Sequence, residues 1–360
     1  MKIGIVTYHR AHNYGALLQA AATRVALHYM GYEAYFIDYW PEYHSKMYKV
    51  FSRDTIKSYN LRGKLCYVLN QLKNYHRIRR RQTVFEKFIK DYIQIYCRPV
   101  SDHFDAIIYG SDQIWRKQKG LGNTYNPVYF GKNSFHSPVH ISYAASMGLM
   151  PNSESDKKQL QTLLASLGAI SVREDDLFEL VKNIGFHAEK HIDPTLLLSA
   201  KQWNYVFPIN LEPKKPYVLF YDLNKNSFDL EEIKKFAKSR GLELKTIVGS
   251  VTSRARKNTY PYASPVEFVD LIRSAEFVFT SSFHGMAFSI IYNKQFFTAF
   301  PKNSDRAATL LKLLGISERL LVPMSTIPAI GEINYARVNA AVCGLNKTAK
   351  EYLNIHLRYK

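Results

Sequence analysis

The chain opens with an apolar run, Ile3 to Thr7, that meets a polar turn and then a stretch whose apolar positions Leu17, Leu18, Ala21, Val25 and Ala26 recur at helical spacing. Gly31 stops that helix, and a second apolar run ends at Ile37-Asp38-Tyr39. This layout predicts a β-α-β unit, which builds a parallel sheet with its ligand edge at the strand C-termini. Short apolar strands running into polar or small-residue turns recur at Phe104 to Tyr109, His140 to Ala144, Ala169 to Arg173 and His191 to Pro194. A first domain over residues 1–198 follows. From about Trp203 the alternation continues: strand at 217–221, helix at 230–239, strand at 244–248, helix at 264–274, strand at 277–280, helix at 285–292 and strand at 296–300. Residues 199–360 form the second α/β domain, with a helical tail from about Ala336 that is free to pack back on the first. No internal repeat or low-complexity segment interrupts this order.

Residues 41–100 break the rhythm. They hold fourteen Lys and Arg against four Asp and Glu, more than half of the net charge of +19 on 360 residues. Spaced apolar positions Leu65, Val68, Leu69 and Leu72, then Val84, Phe85, Phe88 and Ile89, predict amphipathic helices inserted into the first domain. One reading of the basic face is a solvated surface. The other is peripheral contact of residues 46–98 with an anionic membrane or a lipid-diphosphate acceptor. The cluster Arg77-Ile78-Arg79-Arg80-Arg81 lies in no recognised nucleic-acid module, so nucleic acid is not the expected partner.

With 46% apolar and 22% charged residues, the chain has a folded protein's composition. It contains no apolar run of membrane-spanning length, and Met1 leads straight into a strand rather than a signal peptide. Cys66, Cys97 and Cys343 are odd in number and widely spaced, which gives neither a disulfide framework nor a zinc site. A cytoplasmic protein is expected.

The strongest candidate for chemistry is Thr280-Ser281-Ser282-Phe283-His284-Gly285, where an apolar strand enters a tight turn and a helix starts at once. Backbone N–H groups and a positive helix end then lie beside an imidazole, as an anion site with a proton donor requires. Plain helix capping by Ser281 or Ser282 explains the same residues. Arg173 ends a strand and offers bidentate geometry for carboxylate or phosphate, or else pairs with Glu174, Asp175 or Asp176. Asn13, Tyr14 and Gly15 follow the first strand, but Gly15 stands alone and no dinucleotide fingerprint is present. Ser111, Asp112, Gln113 and Trp115, with Ser142 and Ser146, supply hydroxyls, an amide and an indole at two further strand ends, the residue types that sugar recognition uses. His9 and His12 lack a matched acid or Cys cluster nearby in sequence, so no metal is expected. Phosphate-loop and nucleophile-elbow motifs are absent.

The ordered segments TYHRAHNYGALLQA, IDYW, FDAIIYGSDQIW, ISYAASMG, ISVRED, HIDPTLLL and TSSFHGMAFSI resemble the polysaccharide pyruvyl transferase family over most of the chain. The resemblance implies two Rossmann-like domains facing a cleft, the GT-B-like architecture. It also implies transfer of pyruvate from phosphoenolpyruvate, as co-substrate and without a cofactor, to two hydroxyls of a sugar as a cyclic ketal, releasing phosphate. The acceptor would be a cell-surface polysaccharide or its polyprenyl-diphosphate-linked precursor. His284 matches the family's essential His and Arg173 its donor-binding Arg. The family often has an Arg two positions before the His; Ser282 stands there instead, which leaves the second donor contact unassigned. A sugar-nucleotide glycosyltransferase, or a non-catalytic carbohydrate- or lipid-surface-binding protein, is the alternative on the same architecture.

Overall fold

Two parallel sheets of matching strand order organise the protein. The structure is a computed structural model that describes residues 1–358 except 52–55, 57–58, 152, 209–214, 224–225, 250–255 and 303. In the first sheet β1 (Lys2–Val6), β2 (Glu33–Ile37), β3 (Cys97–Arg98), β4 (Ala106–Tyr109) and β5 (His140–Ser142) lie in the order β3-β2-β1-β4-β5. The pair β6 (Ser171–Val172) and β7 (Glu189–Lys190) extends it through parallel bridges from Ile141 to Ala169 and Ala145 to Val172. The second sheet contains β8 (Tyr217–Asp222), β9 (Glu243–Val248), β10 (Thr259–Tyr260), β11 (Phe277–Thr280), β12 (Gln295–Ala299) and β13 (Leu320–Leu321), ordered β10-β9-β8-β11-β12-β13. Counted from its own first strand, each begins 3-2-1-4-5, the order of a Rossmann unit. Such sheets bury both faces, which is why segments such as FVFT and YVLFYD read as continuous apolar runs rather than alternating ones.

The helices are α1 (Tyr14–Tyr29), α2 (Glu42–Met47), α3 (Leu61–Phe88), α4 (Glu154–Leu164), α5 (Asp175–Asn183), α6 (Ala200–Val206), α7 (Leu230–Ser239), α8 (Pro265–Arg273), α9 (Phe283–Ile291), α10 (Asp305–Leu314) and α11 (Tyr335–Leu357). The outer faces of the two sheets carry separate apolar clusters, while their inner faces share one. In that shared core, Tyr14 of α1 stacks on Phe268 of α8 at 4.5 Å, and its hydroxyl donates to the Ala263 carbonyl at 2.8 Å. The predicted tail is α11, and it does return to the first sheet. The Tyr352 hydroxyl donates to Ser142 O at 2.9 Å, and the Asn346 amide donates to the carbonyls of Leu196 and Leu197. With the two sheets facing across α1, α8 and α9, the fold is the two-domain GT-B-like α/β architecture.

The basic insertion is the connection between β2 and β3. Its described part is dominated by one 28-residue helix, α3, rather than by several; Arg53 and Lys57 lie outside the described residues. Arg81 on α3 crosses to the second domain and donates to Pro261 O at 2.7 Å and Val248 O at 3.2 Å.

Three imidazoles, His44 and His191 buried and His12 half-buried, make stability depend on acidity. Burial pushes His12, His44 and His191 down to about 4, against about 6.5 in an unfolded chain. Between those values the unfolded chain binds protons that the folded one refuses, so stability is full above about pH 6.5 and falls as pH drops towards 4. The melting temperature measured from pH 7 to pH 4.5 therefore decreases, and replacing the three histidines by Gln flattens the profile.

Candidate active site in the interdomain cleft

A cavity of about 480 Å³ lies between the strand ends of the two sheets. The first domain contributes an aromatic wall of Tyr8, Trp40, His44 and Tyr48, together with Asn13, Asp112, Gln113, Arg116 and Gln118. The second contributes the turn Ser281 to His284 and, beyond β12, Phe300, Lys302 and Arg306.

His284 sits in the first turn of α9, whose N-cap is Ser282: the serine Oγ accepts from Gly285 N at 3.3 Å. The capping reading of Ser282 therefore holds, and the cap is part of the cavity wall. Ser281 is engaged too, because its hydroxyl donates to Asp222 Oδ1 at 2.5 Å and accepts from Leu223 N at 2.8 Å. Gly285 packs against Thr280 behind the wall; a Cβ there would meet Thr280 Oγ1 at 2.5 Å.

Asp193 stands behind the imidazole. It is 1% exposed, and its Oδ2 lies 3.6 Å from His284 Nε2 and forms an ion pair with Arg173 Nη1. Its Oδ1 accepts from Thr195 N at 3.0 Å and Thr195 Oγ1 at 2.7 Å. Burial alone would raise this carboxyl, but the facing charges of Arg173 and His284 and the Thr195 N–H hold it far below the usual carboxylate range. It stays ionised at any working pH.

Arg173 is 4% exposed and does not line the cavity. Its guanidinium lies 4.9 Å from the centre of the Phe283 ring, and that of Arg306 lies 5.7 Å from the same ring. Arg173 Nε and Nη2, Arg306 Nε and His284 Nε2 are buried and make no hydrogen bond among the described residues. Burial, and then the neighbouring Arg173 charge, lowers Arg306 from its ordinary value. Arg173 already faces two buried carboxylates, Asp193 and, 4.0 Å from its Nε, Glu174, so of the two guanidiniums on the Phe283 ring it is Arg306, in the cavity lining, that favours an anion there.

Of the residues expected at the site, His284, Ser281, Ser282, Phe283, Asn13, Asp112 and Gln113 line the cavity. Asn13 also caps α1, accepting from Ala16 N at 3.1 Å. Asp112 holds a left-handed backbone, φ 66°, at the end of β4. The others sit in the supporting layer. Tyr14 is spent on the domain contact. Ser111 Oγ donates to Ala144 O at 2.9 Å, Ser142 Oγ to Ser171 O at 3.1 Å and Ser146 Oγ to Glu174 Oε1 at 2.9 Å, each hydroxyl tying neighbouring strand ends together. Trp115 is fully buried, stacked on Phe130 with its indole N–H on Tyr129 O at 2.9 Å, so the indole facing the cavity is Trp40 instead. Gly15 makes room for the catalytic candidate rather than for a ligand: a Cβ there would lie 2.0 Å from His284 Nδ1. Asp193 and Arg306 were not singled out from sequence. The available signals were a lone acid inside the apolar run Ile192 to Leu198 and the strand-end turn after β12.

The fold brings to His9 the acid and cysteine that its sequence neighbourhood lacks. Asp38 and Cys97, distant in sequence, lie beside it as the one group of potential metal ligands among the described residues. Arg10 already pairs with that Asp38 carboxylate, and the group lies outside the cavity lining.

A family model for polysaccharide pyruvyl transferases matches residues 13–300. The chain belongs to the polysaccharide pyruvyl transferase family. No curated protein sequence matches it. Among solved structures it is similar to a putative UDP-N-acetylglucosamine 2-epimerase from Listeria monocytogenes at 8% identity and TM-score 0.47, covering 96% of this chain and 87% of that one. The UDP-GlcNAc 2-epimerase from Methanocaldococcus jannaschii aligns at 10% identity and TM-score 0.46 over 99% of both chains. The E. coli heptosyltransferase WaaC with ADP aligns at 11% identity and TM-score 0.43, over 96% of this chain and 99% of that one. No helix among the described residues is long and apolar enough to cross a membrane.

The Gly15 contact gives a direct check. Gly15→Ala forces the His284 ring or the domain interface to move, which costs about 1–3 kcal/mol. Calorimetry should show a lowered melting temperature, while Ala at Gly31, where an added Cβ meets nothing within 4 Å, should lack this packing penalty and carry only the strain of its φ of 87°.

Proposed function

We propose that the cleft transfers the pyruvyl group of phosphoenolpyruvate to two hydroxyls of a sugar, on a cell-surface polysaccharide or its lipid-linked precursor in the cytoplasm. The observation that carries this reading is the Arg306 guanidinium, which lines the cavity beside the Phe283 ring with its buried Nε unspent, next to the His284–Asp193 pair and opposite a wall of aromatic rings. The donor has a carboxylate and a phosphate, and Arg306 with Lys302 and Arg116 offers cations for both. Arg306 thereby fills the role left open at Ser282, from the next strand-end turn.

The imidazolium of His284 gives its proton to the methylene carbon, which becomes the methyl group and leaves an oxocarbenium-like centre at the carbon bearing phosphate. The first sugar hydroxyl forms its C–O bond there and its proton returns to the imidazole. Phosphate then leaves with the C–O electron pair. The second hydroxyl closes the ketal, and its proton leaves with phosphate. Asp193 holds the imidazole in place, and Arg173 holds Asp193; both are positioning residues. Trp40 and Tyr48 would stack on the acceptor sugar, with Asn13, Asp112 and Gln113 on its hydroxyls.

His284→Ala should lower turnover by about 10²–10⁴-fold, the usual contribution of a positioned proton donor. Arg306→Gln should raise KM for phosphoenolpyruvate by roughly tenfold or more, as expected when a charged hydrogen bond is lost. Arg173→Lys should retain more kcat than Arg173→Gln while KM moves little. These are read by phosphate release with a defined acceptor. A melting-temperature shift with nucleotide diphosphates and none with phosphoenolpyruvate would overturn the reading in favour of glycosyl transfer.

A further inference from the structure

Helix α3 is seated over only part of its length. In its C-terminal half Ile78, Arg81, Gln82, Phe85 and Phe88 are buried against the body. In its N-terminal half Leu61, Leu65, Leu69 and Leu72 are 85%, 61%, 55% and 57% exposed. Steps of four, four and three residues at 100° each place these leucines within an arc of about 80°, on the side away from Ile78 and Phe85. A row of leucines in water contributes nothing to folding, so it marks a surface that something covers.

The charge beside the row says what. Arg62 and Lys73 border the leucine arc, and the helix carries eight Lys and Arg with Glu86 its single acid. Two copies of this helix laid together would oppose like charges, which disfavours a second chain as the occupant. A lipid surface with anionic head groups satisfies both features: leucine side chains enter the boundary with the acyl chains, and the basic side chains reach up to phosphates.

A second feature connects this face to the cleft. Tyr75, Arg79 and Gln82 of α3, with Trp40, Tyr48 and Lys49, line a depression of about 700 Å³. Trp40 and Tyr48 also line the cavity that holds His284, so the two hollows adjoin at these rings. We infer that the outer face of the first half of α3 docks on an anionic bilayer, and that an acceptor sugar attached to a lipid reaches the cleft along Trp40 and Tyr48. The docking stands on the leucine row and its charge alone; the path rests on the pyruvyl-transfer reading.

Flotation of the full-length protein with vesicles separates the two, because it needs neither donor nor acceptor. The protein is expected to float with phosphatidylcholine vesicles containing about a third phosphatidylglycerol and to stay down with phosphatidylcholine alone, the bound fraction falling as salt rises. Arg62→Gln with Lys73→Gln should lower partitioning by roughly 10–30-fold. Leu65→Gln with Leu69→Gln should lower it by at least about tenfold, with an unchanged melting temperature because the side chains are exposed. Failure of the wild-type protein to float, equal flotation with neutral vesicles, or variants that float as well as wild type would each overturn the docking. So would light scattering that finds a dimer which the leucine variant turns into monomers. Loss of docking with pyruvyl transfer to a free sugar intact would leave the chemistry standing.

Discussion

Asp193 is an ionised carboxylate with almost no access to water, and the cleft is arranged around the need to compensate it. Removing such a charge from water costs several kcal/mol, which an excellent set of partners must offset. Thr195 supplies two donors and Arg173 supplies the counter-charge. His284 arrives from the other domain to face the same oxygen that Arg173 holds. Since Arg173 is drawn to Asp193 on one side and lies against Phe283 on the other, the turn before α9 is held by a residue of the first sheet. The domains are thus joined at the site by charge and ring contacts, and around it by the apolar core of α1, α8 and α9.

The matching strand order of the two sheets explains where the polar groups gather. In a Rossmann unit every strand delivers its turn to the same edge, so two facing units bring many turns to one cleft. Each turn must also satisfy the exposed amides at the start of the helix that follows. Ser282 and Asn13 therefore cap helices and line the cavity at once. Structural and ligand-facing duty are not alternatives for such residues.

The strands and the helices packed between them were legible in the sequence because burial on both faces leaves continuous apolar runs bounded by turn residues. The tail helix was legible as a helix; its seat on the first sheet depends on Tyr352 and Asn346 finding partners far away in sequence. For α3 the apolar spacing was readable, but the same pattern describes Phe85, which is buried, and Leu65, which is not. The difference lies in what stands opposite, and that is a tertiary fact. At the site, His284 could be read from a strand-turn-helix pattern. Trp115 and Trp40 could not be told apart, since residue type does not reveal which indole faces inward. Arg306 and Asp193 acquire meaning only through Phe283 and His284, whose neighbourhood the chain order conceals.

The absence of a side chain at Gly15 has a mechanical meaning. Gly15 belongs to the first domain and His284 to the second, and the ring fills the volume that a methyl group would occupy. The imidazole is thereby lodged in the opposite domain like a tenon in its mortise. Rotation of one domain away from the other would withdraw it from both Gly15 and Asp193, so these two contacts exist only while the domains hold this arrangement.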